Sequence, residues 1–285
     1  MGKEKELQKK LIPFINCKDY TVSGECYEVM KNQEFDMLVT SPIPVDIENY
    51  YKSEDYISHT DAKKSLFDKV YQKVRNYTLK KKVVLINSFN SEEKTVLDIG
   101  AGTGDFLATC LRNNWKISGV EPSQVAREIA KNKNVSLAEN LSFFEDKKFD
   151  VITLWHVLEH VQSLDAYINK LKSLLKENGT LVIAVPNFKS YDANYYKEFW
   201  AAFDVPRHIW HFSQKSIVKL FQQVSMEVVK TIPMKFDAYY VSLLSEKYKN
   251  GKMNLFNSFW IGFLSNRKAK QTSEYSSLIY ILKNS

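Results

Sequence analysis

"LDIGAGTGDF", Leu97 to Phe106, ends an apolar run and then sets glycine at positions 100, 102 and 104. The lead-in, "TVLDIG", is short, continuous and β-branched, which is the pattern of a strand buried on both faces. "DFLATCLRNN" follows as a helix. Glycine lets a backbone turn tightly and approach a ligand closely. The free N–H groups at a helix start favour a carboxylate or phosphate. A dinucleotide fingerprint, G-x-G-x-x-G, would need glycine where Asp105 stands. A P-loop would need a Lys that does not follow. Asp98, two residues before the first glycine, would repel a pyrophosphate and suits an ammonium and a sulfonium. Glu121 closes the next strand, where an acid can accept both hydroxyls of a ribose. The alternative is a βα turn that uses glycine only to pack its helix on the sheet.

Around this stretch the pattern is strand, turn, helix, repeated. "WKISGVEP" is the second strand, and Pro122-Ser123 opens the helix "SQVAREIAKNK". "VSLA" is a third, short strand and "KKFDVITLW" a fourth. In "SLDAYINKLKSLLKENG", Ser163 is the expected N-cap, Leu164, Ile168, Leu171 and Leu175 form the apolar stripe, and Asn178-Gly179 ends the helix. "TLVIAVPN" is the fifth strand. "SQKSIVKLFQQV" is a capped helix, and "MEVVKTIPM" and "SSLIYILKN" are the closing strands. Alternating strands and helices with continuous apolar strands predict an α/β fold: a Rossmann-like, seven-stranded, mostly parallel sheet with helices on both faces.

The flanks depart from that pattern. Residues 1-45 form a small strand-rich segment broken by "TSPIP". Residues 46-90 read as a helical cap, with Leu66, Val70, Val74, Tyr77 and Leu79 near one face. The main domain covers 91-236 and 273-285. Residues 237-272, rich in aromatics, read as a helical lid inserted between two strands that a hairpin would normally join. There, Phe256, Phe259, Trp260 and Phe263 recur at helical spacing before Arg267, Lys268 and Lys270. Such a stripe either covers a pocket, or lies on a membrane surface or grips a lipid-like acceptor.

Bulk composition narrows the classes. The chain has 285 residues and a net charge of +7, yet only five of its 40 basic residues are Arg. Nucleic-acid readers lean on Arg, so a lysine-rich solvated surface is expected and no nucleic-acid partner. Three cysteines without a C-x-x-C pair suit a reducing compartment. The charged start is no signal peptide, and no apolar run reaches the ~20 residues a membrane span needs. A cytoplasmic protein is expected; oligomeric state is not readable.

"LDIGAGTGDF", "GVEPS", "FDVITLWHVLEHV" and "LKENGTLVIAVPN", in that order over about residues 94–230, resemble the class I S-adenosylmethionine-dependent methyltransferases. The branch they are most similar to contains the ubiquinone-biosynthesis O-methyltransferases. The resemblance implies S-adenosyl-L-methionine as cofactor, S-adenosyl-L-homocysteine as product, and a small-molecule acceptor, aromatic or lipid-like. It implies that Gly100, Gly102 and Gly104 cradle the methionine part, with Asp98 near its ammonium. Glu121 would hold the ribose, with Pro122 beside it. Ala138 to Leu141 would line the adenine; Asn140 stands in that stretch, where many relatives show Asp. Trp155 and His156 would lie beside the methionyl chain and reacting methyl. Relatives in this branch often begin with a four-cysteine zinc ribbon ending in T-x-P-x-P and a tyrosine-rich segment. This chain keeps "TSPIP" and "YYKSEDYISH" but only Cys17 and Cys26, which reads as a ribbon without its metal.

Methyl transfer is a direct displacement in which positioning supplies most of the acceleration. A general base matters for a poorly acidic hydroxyl. Five histidines are available: His59, His156, His160, His208 and His211. His208 is the first candidate base and His160 the second; the alternative is that each fixes a loop through a backbone carbonyl. Glu159 and Asp204 lie near in sequence, but the Asp and Asn cluster of a metal-dependent enzyme is missing, so no metal is expected. Tyr191, Tyr195, Tyr196, Phe199, Trp200, Phe203 and Trp210 are candidates either for an acceptor pocket or for core under a loop. An RNA or protein methyltransferase is the competing enzyme reading. It lacks a recognisable RNA-binding module and the N-P-P-F/Y pattern, "TLWHVLEH" standing in that place. A cofactor-binding regulator without catalysis is the third.

Overall fold

The computed structural model describes residue 7 and residues 9–51, 66–89 and 91–285. His59 and most of "YYKSEDYISH" lie outside the described residues, as do the side chains of Leu66 and Val70. The strands are β1 (Leu11–Lys18), β2 (Cys26–Asn32), β3 (Met37–Ser41), β4 (Thr95–Ile99), β5 (Lys116–Val120), β6 (Phe149–Trp155), β7 (Leu175–Pro186), β8 (Trp210–His211), β9 (Met226–Pro233) and β10 (Ser277–Asn284). The helices are α1 (Leu66–Asn87), α2 (Asp105–Leu111), α3 (Gln124–Lys131), α4 (Leu164–Leu174), α5 (Tyr191–Tyr196), α6 (Gln214–Gln222), α7 (Asp237–Asn250) and α8 (Leu255–Thr272). The larger sheet has six strands in the order β5-β4-β6-β7-β10-β9, and the smaller four in the order β1-β2-β3-β8.

The chain falls into two compact units. One comprises residues 54–155, 169–183 and 281–285; the other comprises 1–53, 156–168 and 184–280. In the first, β4 pairs in parallel with β5 and β6, and its Val96 and Leu97 are fully buried. Ser123 caps α3 as expected, its hydroxyl accepting from the Ala126 N–H at 3.4 Å. "VSLA" is not a strand. Only Ala138 makes a parallel bridge, to Val120, through two backbone hydrogen bonds. The segment is squeezed between Asn134, at φ +59°, and a 3-10 turn that Asn140 caps, so the ladder cannot lengthen. The expected seventh strand is therefore a single bridge.

The helix α4 also ends earlier than its sequence predicts. It stops at Leu174, and β7 already runs from Leu175 through Asn178-Gly179. The Asn284 amide donates to the Lys176 and Glu177 carbonyls, and that segment is extended to receive it. Strand partnership has overridden the capping signal.

In the second unit, β1 and β2 form an antiparallel hairpin, β2 pairs with β3, and β3 pairs with β8. Cys17, Tyr27, Val29, Leu38, Tyr196, Trp200 and Phe203 share one buried cluster. Trp210 is fully buried too. Tyr196, Trp200, Phe203 and Trp210 are thus all buried, and the Trp200 indole N–H is satisfied by Asp192 at 2.8 Å. Ser213 caps α6 in a reciprocal pair with Ser216. Residues 237–272 fold as the two helices α7 and α8.

Candidate functional site

The glycine stretch forms the turn between β4 and α2. Gly100, Gly102 and Gly104 have φ of +68°, +53° and +76°. Only glycine takes this region without strain. A Cβ on Gly102 would meet nothing within 4 Å, so the outer face of the turn is bare backbone. Glu121, at the end of β5, holds the turn. Its carboxylate accepts the Gly102 N–H at 2.9 Å through one oxygen and the Ser123 N–H at 2.9 Å through the other. Each oxygen keeps a further lone pair for a ligand hydroxyl.

Asp98 lies beneath the turn, buried, accepting the Thr153 hydroxyl at 2.6 Å. Burial pushes its carboxyl up to about 7, with the Glu121 charge adding, against the Thr153 hydrogen bond and the Lys82 charge. Trp155 ends β6 and stands edge-on to Phe106, its indole N–H buried with no hydrogen-bond partner among the described residues. Lys82 of α1 lies over the Trp155 ring, its Nζ 4.0 Å from the centroid. Arg75, two turns earlier on α1, pairs with Asp105, the first residue of α2. Lys133 Nζ also reaches Asp105, at 2.9 Å, and the Thr103 carbonyl, at 2.9 Å. Thus α1 is tied to the start of α2 while its lysine covers the indole.

Pro122 and Asn140 follow at the end of β5 and beyond it. The Pro122 carbonyl accepts from Arg127 at 2.6 Å. The Asn140 side-chain oxygen accepts from the Ser142 N–H, so the carbonyl end of that amide is engaged in its own turn. The turn thus brings together bare glycine backbone, a carboxylate with free lone pairs, a buried acid and an indole that carries a cation.

Four histidines, His156, His160, His208 and His211, lie in the other unit. His156, at φ +59°, sits between two acids, with Nδ1 3.3 Å from Glu159 and Nε2 3.2 Å from Asp237. Burial alone would lower its pKa, but the hydrogen bonds and charges of Asp237 and Glu159 outweigh burial and hold it up at about 10. His160 Nδ1 donates to the Arg207 carbonyl at 3.0 Å and is 3.0 Å from the Tyr51 hydroxyl. Burial and the neighbouring His208 push His160 down to about 4. His208 packs edge-on to it at 4.5 Å and donates its own Nδ1–H to the Ala202 carbonyl at 2.9 Å. A carbonyl can only accept, so each ring donates through Nδ1–H, and Nε2 is the nitrogen left to act as an acceptor. His211 is spent structurally, bonded to Thr40 at 3.0 Å. Arg207 forks onto Asp204, with Nε at 3.1 Å and Nη2 at 2.5 Å. Glu159 is fully buried; one oxygen faces His156 and the other has no hydrogen-bond partner among the described residues. Glu159, His160 and His208 form the one group of three potential metal ligands among the described residues, their ligand atoms within 4.8 Å of one another.

Sequence reasoning missed Lys82, Thr153, Asp237 and Tyr51. Lys82 belongs to a run of three lysines that reads as solvated surface, and Asp237 lies 81 residues from its partner along the chain.

A family model described as a methyltransferase domain matches residues 71–231, more than half of the chain. The chain belongs to that methyltransferase family. The chain is 33% identical over 108 residues to the ubiquinone biosynthesis O-methyltransferase of Actinobacillus pleuropneumoniae serotype 5b, covering 33% of this chain and 46% of that protein. It is 27% identical over 195 residues to an uncharacterized methyltransferase of Anoxybacillus flavithermus, covering 65% and 82%. The match thus spans under half the length of the ubiquinone-biosynthesis relative. Among solved structures, magnesium protoporphyrin IX methyltransferase from Synechocystis PCC 6803, with bound S-adenosylhomocysteine, shares the fold with a TM-score of 0.56 at 16% identity, covering 84% of this chain and 98% of that one. Among the described residues, no helix is long and apolar enough to cross a membrane.

Proposed function

We propose that this methyltransferase acts on a hydroxyl of a small-molecule acceptor, with His208 as general base and His160 as its neutral neighbour. The observation that carries the cofactor half is the bare glycine turn held by Glu121. In this reading Gly100, Gly102 and Gly104 offer backbone to the methionine part, Asp98 meets its ammonium, and Glu121 takes the ribose. Pro122 lies beside the ribose, Asn140 borders the adenine, and Trp155 and His156 flank the methionyl chain. His156 is a cation at neutral pH, which suits the methionine carboxylate rather than the sulfonium. Bound S-adenosylmethionine supplies an electrophilic methyl on its sulfur.

The acceptor half rests on the tautomer of His208. With Nδ1–H tied to Ala202, Nε2 takes the hydroxyl proton as the oxygen is methylated. Residues 237-272 would then cover the acceptor, 46-90 would cap the cofactor, and 1-45 is a ribbon without its metal. A cytoplasmic setting suits the free thiols Cys17, Cys26 and Cys110.

The test begins with thermal melting in S-adenosylmethionine, S-adenosylhomocysteine, NAD and ATP, on the natural chain and on Glu121→Ala and Asp98→Ala. Stabilisation by the first two alone, lost in both variants, is expected. Labelled methyl transfer to catechols, phenols and amines then reads the acceptor. His208→Gln should lower kcat on a phenolic acceptor by ~10²–10⁴ while leaving S-adenosylhomocysteine binding intact. Transfer to amines alone, or a His208→Gln enzyme of full rate, would overturn the oxygen reading.

A further inference from the structure

The helix α8 is amphipathic the wrong way round for a soluble protein. Its buried face is Ser258, Ile261, Gly262, Ser265 and Ala269. Its outer face carries Leu255 at 63% exposure, Phe256 at 84%, Phe259 at 62%, Trp260 at 50% and Phe263 at 40%. A surface helix normally turns its apolar stripe inward. Clustered exposed apolar side chains, unlike scattered ones, mark an interaction site.

The helix cannot correct this by rotating. Gly262 packs so closely on α7 that a Cβ there would lie 2.7 Å from the Tyr239 ring and 3.0 Å from its Cα. The Ser265 hydroxyl donates to the buried Asp192 carboxylate at 2.6 Å. Turning the aromatics inward would put bulk where only glycine fits and leave that carboxylate short of a donor. The aromatics are also pre-ordered for a flat contact. Trp260 stacks with Phe263 at 5.8 Å, and Phe259 with Tyr239 at 5.3 Å.

Charge decides what covers this face. Residues 235–273 hold seven Lys and Arg against two acids, Asp237 and Glu246. Glu246 is buried, and Asp237 is paired with His156. Along the chain, Lys249 and Lys252 precede the aromatic stretch and Arg267, Lys268 and Lys270 follow it, Lys249 and Lys268 lying over the Tyr195 and Tyr191 rings. A second copy would bring the same cations against these with no exposed acid from this segment to meet them. Lys and Arg around exposed Trp, Phe and Leu is the composition that seats a helix in the headgroup region of an anionic bilayer.

We propose that the outer face of α8 docks this methyltransferase onto anionic membrane surfaces, with Phe256 and Trp260 entering the headgroup–acyl boundary. The proposal stands apart from the identity of the acceptor.

The experiment is co-sedimentation of the full chain with phosphatidylcholine vesicles and with vesicles half phosphatidylglycerol, at low and high salt. Binding to the anionic vesicles alone, weakened by salt, is expected. Phe256→Ser with Trp260→Ser should lower it by about tenfold or more, since both side chains leave water on binding. Brominated acyl chains should quench part of the natural chain's Trp emission, and none of that part in Trp260→Phe. Both substituted positions face solvent, and an unchanged melting shift with S-adenosylhomocysteine establishes that the variants are folded. Absence of binding to anionic vesicles, or binding indifferent to the double substitution, overturns the proposal. So does a dimer of the natural chain in sedimentation equilibrium that dissociates in the double variant, for then a second copy covers the face.

Discussion

Replacing Lys82 with Met removes the cation from the Trp155 indole while keeping a side chain of similar reach. In the structure the ammonium lies 4.0 Å from the ring centroid, and its charge also opposes the rise in the Asp98 pKa. A cation on an aromatic face contributes ~0.5–2 kcal/mol. If Trp155 flanks the reacting sulfur, a sulfonium must take the place that Lys82 holds, and that amount is forfeited on binding. At about 1.4 kcal/mol per decade, Lys82→Met should tighten S-adenosylmethionine by ~2- to 30-fold. The product, with a neutral sulfur, competes for no such place. Loss of the Lys82 charge raises the Asp98 pKa further, but that change weakens the ammonium contact of both ligands alike. The ratio of the two dissociation constants therefore isolates the sulfur. Titration calorimetry of each ligand with each protein measures it. A ratio that stays constant, or that moves toward the product, would refute the placement of the sulfonium on Trp155.

Gly104→Ala forces a residue with Cβ into φ +76° and sets that atom 3.0 Å from Ala130 Cβ, so a loss of ~1–2 kcal/mol is expected in urea unfolding, with weaker S-adenosylhomocysteine binding. Asp192 is fully buried and accepts from Trp200, Ser265 and Ser276; Asp192→Ala orphans three donors and should cost ~3 kcal/mol or more, read as a calorimetric melting temperature. The His156 pKa is raised in the folded state, so its stabilising contribution is full below pH ~6.5 and is lost as pH rises through about 10. Asp237→Asn should flatten that alkaline decline in melting temperature. His160, held down at about 4, acts oppositely: its contribution is present above pH ~6.5 and is lost as pH falls toward 4, and His160→Asn should lessen the acid decline.

The glycine turn and its acids were legible because their physics is local. Strand, turn and helix follow one another within ten residues, and the excluded ligands fail on spacing alone. Glu121 is equally readable, closing the strand beside the turn. Lys82 is not, because nothing in "KKK" separates the one lysine that meets an indole from two that meet water. The same holds for the aromatics of 191–210: pattern shows that they are large, and only the three-dimensional core shows that Trp200 and Trp210 are enclosed. Where the sequence misled, a partner far along the chain had prevailed over a local signal, as when Asn284 claimed the backbone just ahead of Asn178-Gly179.

Asp192 has a consequence for the order in which the protein is made. Its carboxylate is satisfied by hydroxyls 73 and 84 residues downstream. On the ribosome, α5 therefore emerges with an acid that, of the donors Trp200, Ser265 and Ser276, meets only Trp200 until the two serines follow. Water must solvate it in the meantime, and the cluster around Trp200 cannot close over it. The cluster around Trp200 can close dry only once Ser265 and Ser276 have been made. A chain cut short before Ser276 would hold a wetted carboxylate at a place that is dry in the structure.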